Sequence, residues 1–408
     1  MKKSKIINPE QVSVDSLLSI LDDSMLRGIS KELNSDKWVI KLDTVTVFKL
    51  VLYSILDSDR LSLRVMSENY TSVPFQILEE SVVGDRTAHS SLRDRLVKID
   101  VRFFEKIYGR SRQRLREHYG ENELSSQFDL KRYDSTMIGV FSHLLEGMKV
   151  GNTSKKKNQV KLTTELIGDF EVRMRFFKDQ DHLGEEVALK EMIQSQSHTK
   201  DSLIVFDRGL KSRQTFCELN GLKTHFVTRL NERNRHKFLR PHAEVPSGTV
   251  DGLKFVQDSI VHLYGDGSKL VKEEFRLIEA IVLKTGKKIF FLTNVLTLDA
   301  PAIAQVYRQR WDIEVFFRFL KQEMNLTHFV CNDLNAIQVM IYCTLIAAML
   351  VLVFKKLNGI KSYKNAKTRF VKELDASVLL ELIDKTGGVE RLRELLRRYI
   401  EKNRQKYP

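Results

Sequence analysis

Residues 307–321 carry four chemically active side chains at helical spacing. The stretch contains no glycine or proline, so it is predicted to form a helix. At about 3.6 residues per turn, one face of that helix presents a phenol, two cations and an acid, namely Tyr307, Arg310, Glu314 and Lys321. Such a face can contact phosphate groups through its cations and a metal ion through its acid. The alternative interpretation is a solvated charged face with ordinary Glu–Arg and Glu–Lys ion pairs.

Two aspartates are predicted to end β-strands far upstream in the chain. Asp134 ends a stretch of alternating polar and apolar residues. Asp207 directly follows the apolar run 202–206, which is typical of a strand in the middle of a sheet. As an alternative, each aspartate serves only to stabilise a turn with the residues after it. With Glu314, the two aspartates form a candidate set of three acids.

A group of carboxylates with no basic residue between them repels itself, and hard divalent cations with oxygen ligands are the natural way to stabilise it. Two such ions, about 3.5–4 Å apart, activate a water or a 3′-hydroxyl for in-line displacement at phosphorus. If Asp134, Asp207 and Glu314 converge, they therefore predict a phosphoryl-transfer site. The sequence has no His-x3-His spacing for zinc and no Gly-x4-Gly-Lys-Ser/Thr nucleotide loop, so it favours neither of those chemistries.

The spacing Tyr-x2-Arg-x3-Glu-x6-Lys resembles the signature of the insertion-sequence-4 family of DDE transposases, and the chain is similar to the transposon-five-type members. Asp134 in Tyr-Asp-Ser-Thr and Asp207 in Val-Phe-Asp-Arg-Gly match the two upstream acids of that pattern. The resemblance implies that Asp134, Asp207 and Glu314 are catalytic and hold two Mg²⁺ ions, for which Mn²⁺ can substitute.

The resemblance also implies which residues contact DNA. Tyr307, Arg310 and Lys321 match phosphate-contacting positions, and Trp311 matches a tryptophan that stacks on a base near the cleaved end. The alternative for Trp311 is a core side chain. Relatives can carry a further tryptophan in their β insertion. This chain has no tryptophan in that region. Arg208 either contacts a phosphate or pairs structurally with one of the acids.

The charge balance points to an anionic partner. The 408-residue chain has a net charge of +14 and a pI near 9.5, which favours nucleic acid first and an anionic membrane second. An ordinary basic soluble protein is the remaining alternative. The three cysteines of the chain include no C-x2-C pair. Their spacing therefore indicates neither a disulfide framework nor a zinc site, and it fits a reducing cytoplasm. No apolar signal region follows the basic N-terminus.

Residues 336–354 are almost wholly apolar and long enough to cross a bilayer. A single late span in a basic cytosolic enzyme is unusual, so this segment is predicted to be a helix buried on several sides and packed against the sheet or the helix at 307–321. A membrane-associated protein is the alternative.

The first 120 residues are predicted to be helical, with apolar residues at helical spacing in five segments: 14–31, 44–56, 60–69, 87–98 and 101–118. Asp43 and Asp85 are predicted helix caps. Arginine and lysine residues accumulate in the last two segments. This basic block suits contact with phosphates and a DNA groove, and a solvated basic face is the equal alternative.

The order of elements from residue 124 onward, three strands in a meander, a helix and a central strand flanked by helices, resembles the ribonuclease-H-like fold. We predict an α/β protein in three parts. A helical N-terminal DNA-binding region (1–123) precedes a ribonuclease-H-like catalytic domain (124–330) with a mostly β insertion at about 231–296, and C-terminal helices follow (331–408).

The resemblance implies a DNA transposase that cleaves the ends of an insertion sequence and transfers strands into target DNA, in some relatives through a hairpin intermediate. Its partners would be double-stranded DNA, as terminal inverted repeats and target, and a second copy in a homodimeric DNA complex. The expected location is the bacterial cytoplasm, associated with the nucleoid and not with a membrane. A ribonuclease-H-like nuclease or resolvase without strand transfer, and a non-catalytic DNA-binding relative, remain as alternatives.

Overall fold

The computed structural model describes most of the chain: residues 11–79, 86–119, 129–139, 148–150, 157–167, 171–195, 202–265 and 269–406. The predicted cap Asp85 lies outside these residues. The chain divides into two compact units. The first combines residues 1–120 with 319–408, and the second comprises residues 121–318.

The described α-helices, in chain order, are α1 Val14–Leu18, α2 Asp23–Leu33, α3 Thr44–Asp57, α4 Leu63–Thr71, α5 Val73–Leu78, α6 His89–Lys98, α7 Val101–Tyr119, α8 Glu185–Gln194, α9 Arg213–Gly221, α10 Ala300–Gln309, α11 Trp311–Gln322, α12 Leu334–Leu357, α13 Tyr363–Thr386 and α14 Val389–Lys406. Two short 3-10 helices lie at Ser19–Leu21 and Gln180–Leu183.

The described strands, in chain order, are β1 Asp129–Gly139, β2 Met148–Val150, β3 Lys157–Ile167, β4 Glu171–Phe177, β5 Ser202–Phe206, β6 His225–Leu230, β7 His236–Pro241, β8 Thr249–Val250, β9 Leu253–Tyr264, β10 Leu270–Val282 and β11 Lys288–Thr293. All of them belong to one sheet. The protein is therefore a mixed α/β protein, in which helices precede the first strand and follow the last strand along the chain.

The first unit is built around α12. This helix of 24 residues is long and apolar enough to cross a membrane, yet 89% of its most hydrophobic window is buried inside the protein. It packs against α3, α6, α7 and α13. The prediction of a buried helix is therefore confirmed, but it packs against these helices, where we expected the sheet or the helix at 307–321. Because α12 needs apolar cover on all sides, the N-terminal and C-terminal helices share one core, instead of forming the two separate regions that we expected.

Helix ends follow the capping residues in the sequence. The Asp43 carboxylate accepts a hydrogen bond from the Thr46 amide at 2.7 Å, as predicted for the start of α3. The prediction of one helix over 14–31 is wrong, because Asp22 interrupts it. Asp22 adopts an extended conformation and caps α2 by accepting a hydrogen bond from the Met25 amide at 2.8 Å.

The sheet of the second unit begins with an antiparallel meander and continues with parallel strands. β3 pairs antiparallel with β1 on one side and with β2 and β4 on the other, while β1, β5 and β6 run parallel. Apolar side chains on one face pack against α8 and α9, and those on the other face pack against α10. β5 is buried on both faces, which explains its continuous apolar run.

The stretch predicted to be a mostly β insertion, residues 231–296, does consist mainly of strands, β7 to β11, and these extend the same sheet. β11 pairs antiparallel with β6, and the order continues through β10 and β9 to β7. Its core contains a fully buried ion pair between Arg276 and Asp258, whose side chains are both 0% exposed. The Arg276 guanidinium donates two hydrogen bonds to Asp258, at 2.9 and 2.6 Å, and two more to the carbonyl oxygens of Val295 and Leu298. This arginine therefore ties β9 and β10 to the segment that leads into α10.

We expect Arg276→Ala to lower the free energy of unfolding by about 3–5 kcal/mol, because it leaves the Asp258 carboxylate buried without its counter-charge. Urea unfolding followed by circular dichroism measures this change. The matched control is Arg240→Ala, which removes a solvent-exposed arginine that pairs with Glu274 between β7 and β10. The control should unfold like the wild type. Equal stability of the Arg276 variant and the control would contradict this account of the insertion.

Candidate active site

The sheet register places Asp134 and Asp207 side by side. β1 and β5 are parallel neighbours, and their last paired residues are Tyr133 and Phe206. Asp134 and Asp207 are the next residue on each strand, at the carboxyl end of β5. Adjacent strands lie about 4.8 Å apart, so the two carboxylates leave the backbone at the same level.

Asp134 does not end its strand, contrary to the prediction. β1 continues to Gly139, and Asp134 itself pairs with Thr164 of β3. The interpretation of Asp134 as a turn residue is therefore wrong. Asp207 does lie in a turn, since its carboxylate accepts a hydrogen bond from the Gly209 amide at 2.6 Å. That bond fixes the side chain at the end of β5.

The predicted helix 307–321 is divided at Arg310. α10 begins after the Asp299 cap with Pro301 in its first turn, and it ends at Gln309. α11 begins at Trp311, so Glu314 lies in its first turn. Because Arg310 keeps a helical conformation, the two helices meet without a loop. Tyr307 and Arg310 therefore lie at the end of one helix, and Glu314 lies at the start of the next.

Arg310 links the first and third acids. Its guanidinium lies 2.5 Å from a Glu314 carboxylate oxygen and 3.6 Å from one of Asp134. The Arg310 and Asp134 side chains are each 12% exposed, and that of Glu314 is 31% exposed. Burial by itself lowers the pKa of Arg310, but the neighbouring Tyr307, Glu314 and Asp134 more than offset this and raise it. The guanidinium therefore stays charged between the two acids.

Tyr307 lies beside Arg310 and within reach of the charge of Asp207. Its ring packs edge-on against Phe291 at 5.6 Å, and the guanidinium carbons of Arg310 and Arg229 each lie 5.7 Å from its centroid. Burial raises the pKa of the phenol, and the charge of Asp207 raises it further, whereas the two arginines lower it. The net effect is upward, so Tyr307 is protonated near neutral pH and can donate a hydrogen bond.

Two arginines near the acids were missed by the sequence analysis. Arg229 lies on β6 beside Tyr307, and its only signal was a cation in a mostly apolar strand. Arg132 on β1 is buried and donates a hydrogen bond to the Asp312 carboxylate at 2.8 Å. This ion pair attaches the first turn of α11 to β1. It therefore holds Glu314 in position relative to Asp134.

The three other residues predicted to contact DNA are Trp311, Arg208 and Lys321. Trp311 is 52% exposed, so it is not a core side chain. Arg208 donates a hydrogen bond to Asn231 at 3.1 Å instead of pairing with an acid. Lys321 lies in the last turn of α11, two turns and about 10 Å along the axis from Glu314. Arg310 thus links Asp134 to Glu314 and lies beside Tyr307, and Asp207 follows the strand next to Asp134.

The acids have the chemistry of a magnesium site but not yet its geometry. Carboxylate oxygens are the donors that Mg²⁺ prefers, and the site offers neither thiolate nor imidazole ligands. Within the described residues, no three His, Cys, Asp or Glu side chains stand close enough together to hold one ion. The Arg310 guanidinium pairs with both Asp134 and Glu314 in this site.

Comparison with known proteins agrees with this arrangement. A family described as "Transposase DDE domain" matches residues 133–350, a span that contains all three acids. A Sinorhizobium fredii protein named as a transposase, y4zB, is 30% identical over 157 residues, which cover 38% of this chain and 43% of that protein. A Synechocystis protein named for the insertion sequence element IS4SA is 23% identical over 320 residues, 76% of this chain and 81% of that protein.

A third relative, from Geobacillus stearothermophilus and named for the insertion sequence element IS5377, is 37% identical over 65 residues. The chain thus spans under half of the length of the first relative and about four-fifths of that of the second. The family match covers more than half of the 408 residues and agrees with the resemblance to insertion-sequence-4 transposases. The chain belongs to the transposase DDE domain family.

Proposed function

We propose that this protein is a DNA transposase that cleaves the ends of an insertion sequence and joins them to target DNA. One observation carries the proposal: Asp134 and Asp207 are adjacent in the sheet, and Arg310 bridges Asp134 to Glu314. Three acids that lie far apart in the sequence are thereby gathered at one end of the parallel strands. The family match and the names of the relatives support the same function.

We further propose that residues 121–318 form a ribonuclease-H-like catalytic domain with an inserted β region. The strand order β4-β3-β1-β5-β6 supports this fold, with an antiparallel meander on one side and parallel strands on the other. The inserted strands lie between Asp207 and Glu314 in the chain, as the family resemblance implies. They extend the sheet beyond β6, so the insertion can brace the helix that carries Glu314.

In this proposal, Asp134, Asp207 and Glu314 would hold two Mg²⁺ ions, or Mn²⁺ in their place. Bound metal would supply activation of the attacking hydroxyl and stabilisation of the leaving oxygen. The chain supplies the positions: β1 and β5 fix the two aspartates, and the Arg132–Asp312 ion pair fixes the start of the helix that presents Glu314. Arg310 neutralises part of the negative charge before the substrate arrives.

The remaining residues hold DNA. Arg310 can release its acids and grip a phosphate with its two-nitrogen fork, and the protonated Tyr307 donates a hydrogen bond beside it. Lys321 supplies a point charge farther along α11. The exposed Trp311 is free to stack on a base near the cleaved end, and such stacking would stabilise a hairpin intermediate. Arg208 directly follows Asp207, and in this proposal it contacts the phosphate backbone of the DNA strand that is cleaved.

In each step of the proposed reaction, one bond to phosphorus forms as another breaks, so no external energy source is needed. In cleavage, water forms a bond to phosphorus and the 3′-oxygen leaves with a proton, which produces a 3′-hydroxyl end. In joining, that hydroxyl attacks a target phosphorus and displaces the target's own 3′-oxygen, so one phosphodiester replaces another. The proposed protein acts as a homodimer on paired inverted repeats, in the bacterial cytoplasm at the nucleoid.

Strand joining separates a transposase from a nuclease or resolvase. We expect the protein with Mg²⁺ to join a pre-cut terminal-repeat duplex with a free 3′-hydroxyl to a plasmid, because the hydroxyl is the nucleophile. A duplex with a 3′-deoxy end is the control and should give no product. Gel electrophoresis of the labelled duplex measures joining. Cleavage of uncut ends without any joining of pre-cut ends would assign the protein to the nuclease alternative.

Glu314→Gln should abolish metal-dependent cleavage and leave binding of terminal-repeat DNA almost unchanged, because glutamine keeps the size of the side chain but is a weak ligand for Mg²⁺. Cleavage is measured on labelled duplex and binding by fluorescence anisotropy. The control Glu274→Gln makes the same change at an exposed site in the same unit and should cleave normally. Normal cleavage by the Glu314 variant would disprove its catalytic role.

Arg310→Ala should lower the single-turnover cleavage rate by about 100-fold, the typical cost of removing one charged transition-state contact. Arg310→Lys should lie between this variant and the wild type, since it keeps the charge but loses the fork. Without DNA, Arg310→Ala should bind Mn²⁺ more tightly, because the guanidinium no longer competes for Asp134 and Glu314.

Electron paramagnetic resonance of free Mn²⁺ measures that binding. Arg308→Ala is the matched control, since Arg308 is two residues away, exposed and paired with Asp251 outside the acid group. Identical Mn²⁺ affinity of Arg310→Ala and the control would show that Arg310 does not occupy metal-binding space.

A further inference from the structure

The loop between α2 and α3, residues 34–43, presents two large apolar side chains to solvent. Trp38 is 90% exposed and Ile40 is 84% exposed, the highest values among the exposed large apolar side chains of the described chain. A single exposed apolar residue is ordinary on a protein surface. Two within three residues, at the tip of one loop, form a compact apolar point that requires an explanation.

The base of this loop is rigid. The Asp36 carboxylate accepts hydrogen bonds from the Thr44 amide at 2.7 Å, from the Thr44 hydroxyl at 2.6 Å and from the Ser30 hydroxyl at 2.5 Å. The Arg95 guanidinium of α6 donates to Asp36 at 2.7 Å and to the Leu42 carbonyl at 2.8 Å. Both ends of the loop are therefore fastened to α6 and α3, and the tip is held in a fixed place.

The tip itself is strained. The Val39 amide donates to the Asp36 carbonyl at 3.0 Å and closes a four-residue turn in which Trp38 is the third residue. Trp38 has a φ of 69°, in the left-handed region where glycine is the usual residue at this turn position. A tryptophan here adopts a disfavoured backbone conformation and gains no burial in return. Such a strained exposed residue suggests a role outside the folding of the chain.

The surroundings of the tip are basic. Lys37 and Lys41 flank it, and the Lys37 ammonium lies 5.9 Å from the centroid of the Trp38 ring. Beside the loop lies a shallow depression whose lining includes Lys41, Arg95 and Lys98. The exposed Lys37 and Lys98 and the half-buried Lys41 thus lie near an apolar point on a rigid support, whereas Arg95 is paired with Asp36. This combination fits a partner that has anionic edges and an apolar interior.

We propose that Trp38 and Ile40 form an apolar wedge that enters the minor groove of duplex DNA and inserts between base pairs. Lys37, Lys41 and Lys98 would hold the phosphates on either side of the opened step. Minor-groove proteins kink DNA with such wedges, and unstacked bases pair well with an aromatic face. The inference rests on the proposed function, because it assumes that DNA is the substrate, and it adds a separate DNA contact in the helical unit.

The two tryptophans of the chain make a direct test. In Trp311→Phe, Trp38 is the sole tryptophan and reports on the loop alone. A 30-base-pair duplex of random sequence is added, and its binding is followed separately by the anisotropy of a dye on the DNA. We expect Trp38 emission to be quenched and the ring to become shielded from acrylamide as the duplex saturates. A bound complex in which Trp38 stays as accessible as in the free protein would overturn the wedge.

Substitutions at Trp38 separate a DNA contact from a structural role. Trp38→Gly relieves the positive φ, so its melting temperature should equal or exceed that of the wild type, while its affinity for the duplex should fall about tenfold or more. Trp38→Phe should retain most of the affinity. Leu380→Ser, which removes an exposed leucine of α13 in the same unit, is the control and should bind DNA normally. Unchanged affinity of Trp38→Gly would refute the proposal.

The failures of the two proposals can be told apart. If the wild type binds the duplex but Trp38 is not shielded, the wedge fails and the transposase proposal stands. If the wild type binds no DNA, both fail. Shielding of Trp38 that depends on protein concentration without DNA, with dimers in sedimentation, would make the loop a self-association surface. Shielding by vesicles of anionic phosphatidylglycerol but not by DNA would make it a membrane contact. Either result would overturn the wedge.

Discussion

The structure depends on the gathering of like charges at the end of two parallel strands. Pairing of β1 with β5 forces Asp134 and Asp207 to the same level, and α11 adds Glu314. Carboxylates at such separations raise one another's energy unless a cation lies among them. In the protein without ligands, that cation is the guanidinium of Arg310. The acids can therefore lie in the fold with one positive charge already between two of them.

The packing of the second unit fixes the positions of the three acids and Arg310. The apolar faces of β5 and β6 are covered by α8 and α9 on one side and by α10 on the other. α10 delivers Tyr307 and Arg310 to the acids, and the Arg132–Asp312 ion pair fixes α11 on the sheet. The inserted strands add the buried Arg276–Asp258 pair, which anchors the segment leading into α10. Rigid elements thus carry every member of the acid group, as a site of defined geometry requires.

The helical unit follows a different principle, in which one apolar helix organises the others. α12 is apolar on every side, so it must be surrounded, and helices from both ends of the chain cover it. This leaves the outer faces of the helices free to be polar and basic. The α2–α3 loop departs from that surface pattern by exposing Trp38 and Ile40 on a base fixed by Asp36 and Arg95.

The sequence by itself determined many of the local elements and singled out Asp134, Asp207 and Glu314 as candidate acids. The apolar run predicted the strand at 202–206, and the Asp43 cap predicted the start of α3, because these signals arise from neighbours along the chain. Only the tertiary structure decided the sharing of one core by both chain ends, the continuation of β1 past Asp134 and the break at Arg310. It alone brought Arg229 and Arg132 to the site. Those features depend on strand register and on contacts between residues far apart in the chain, and local sequence patterns carry no information about either.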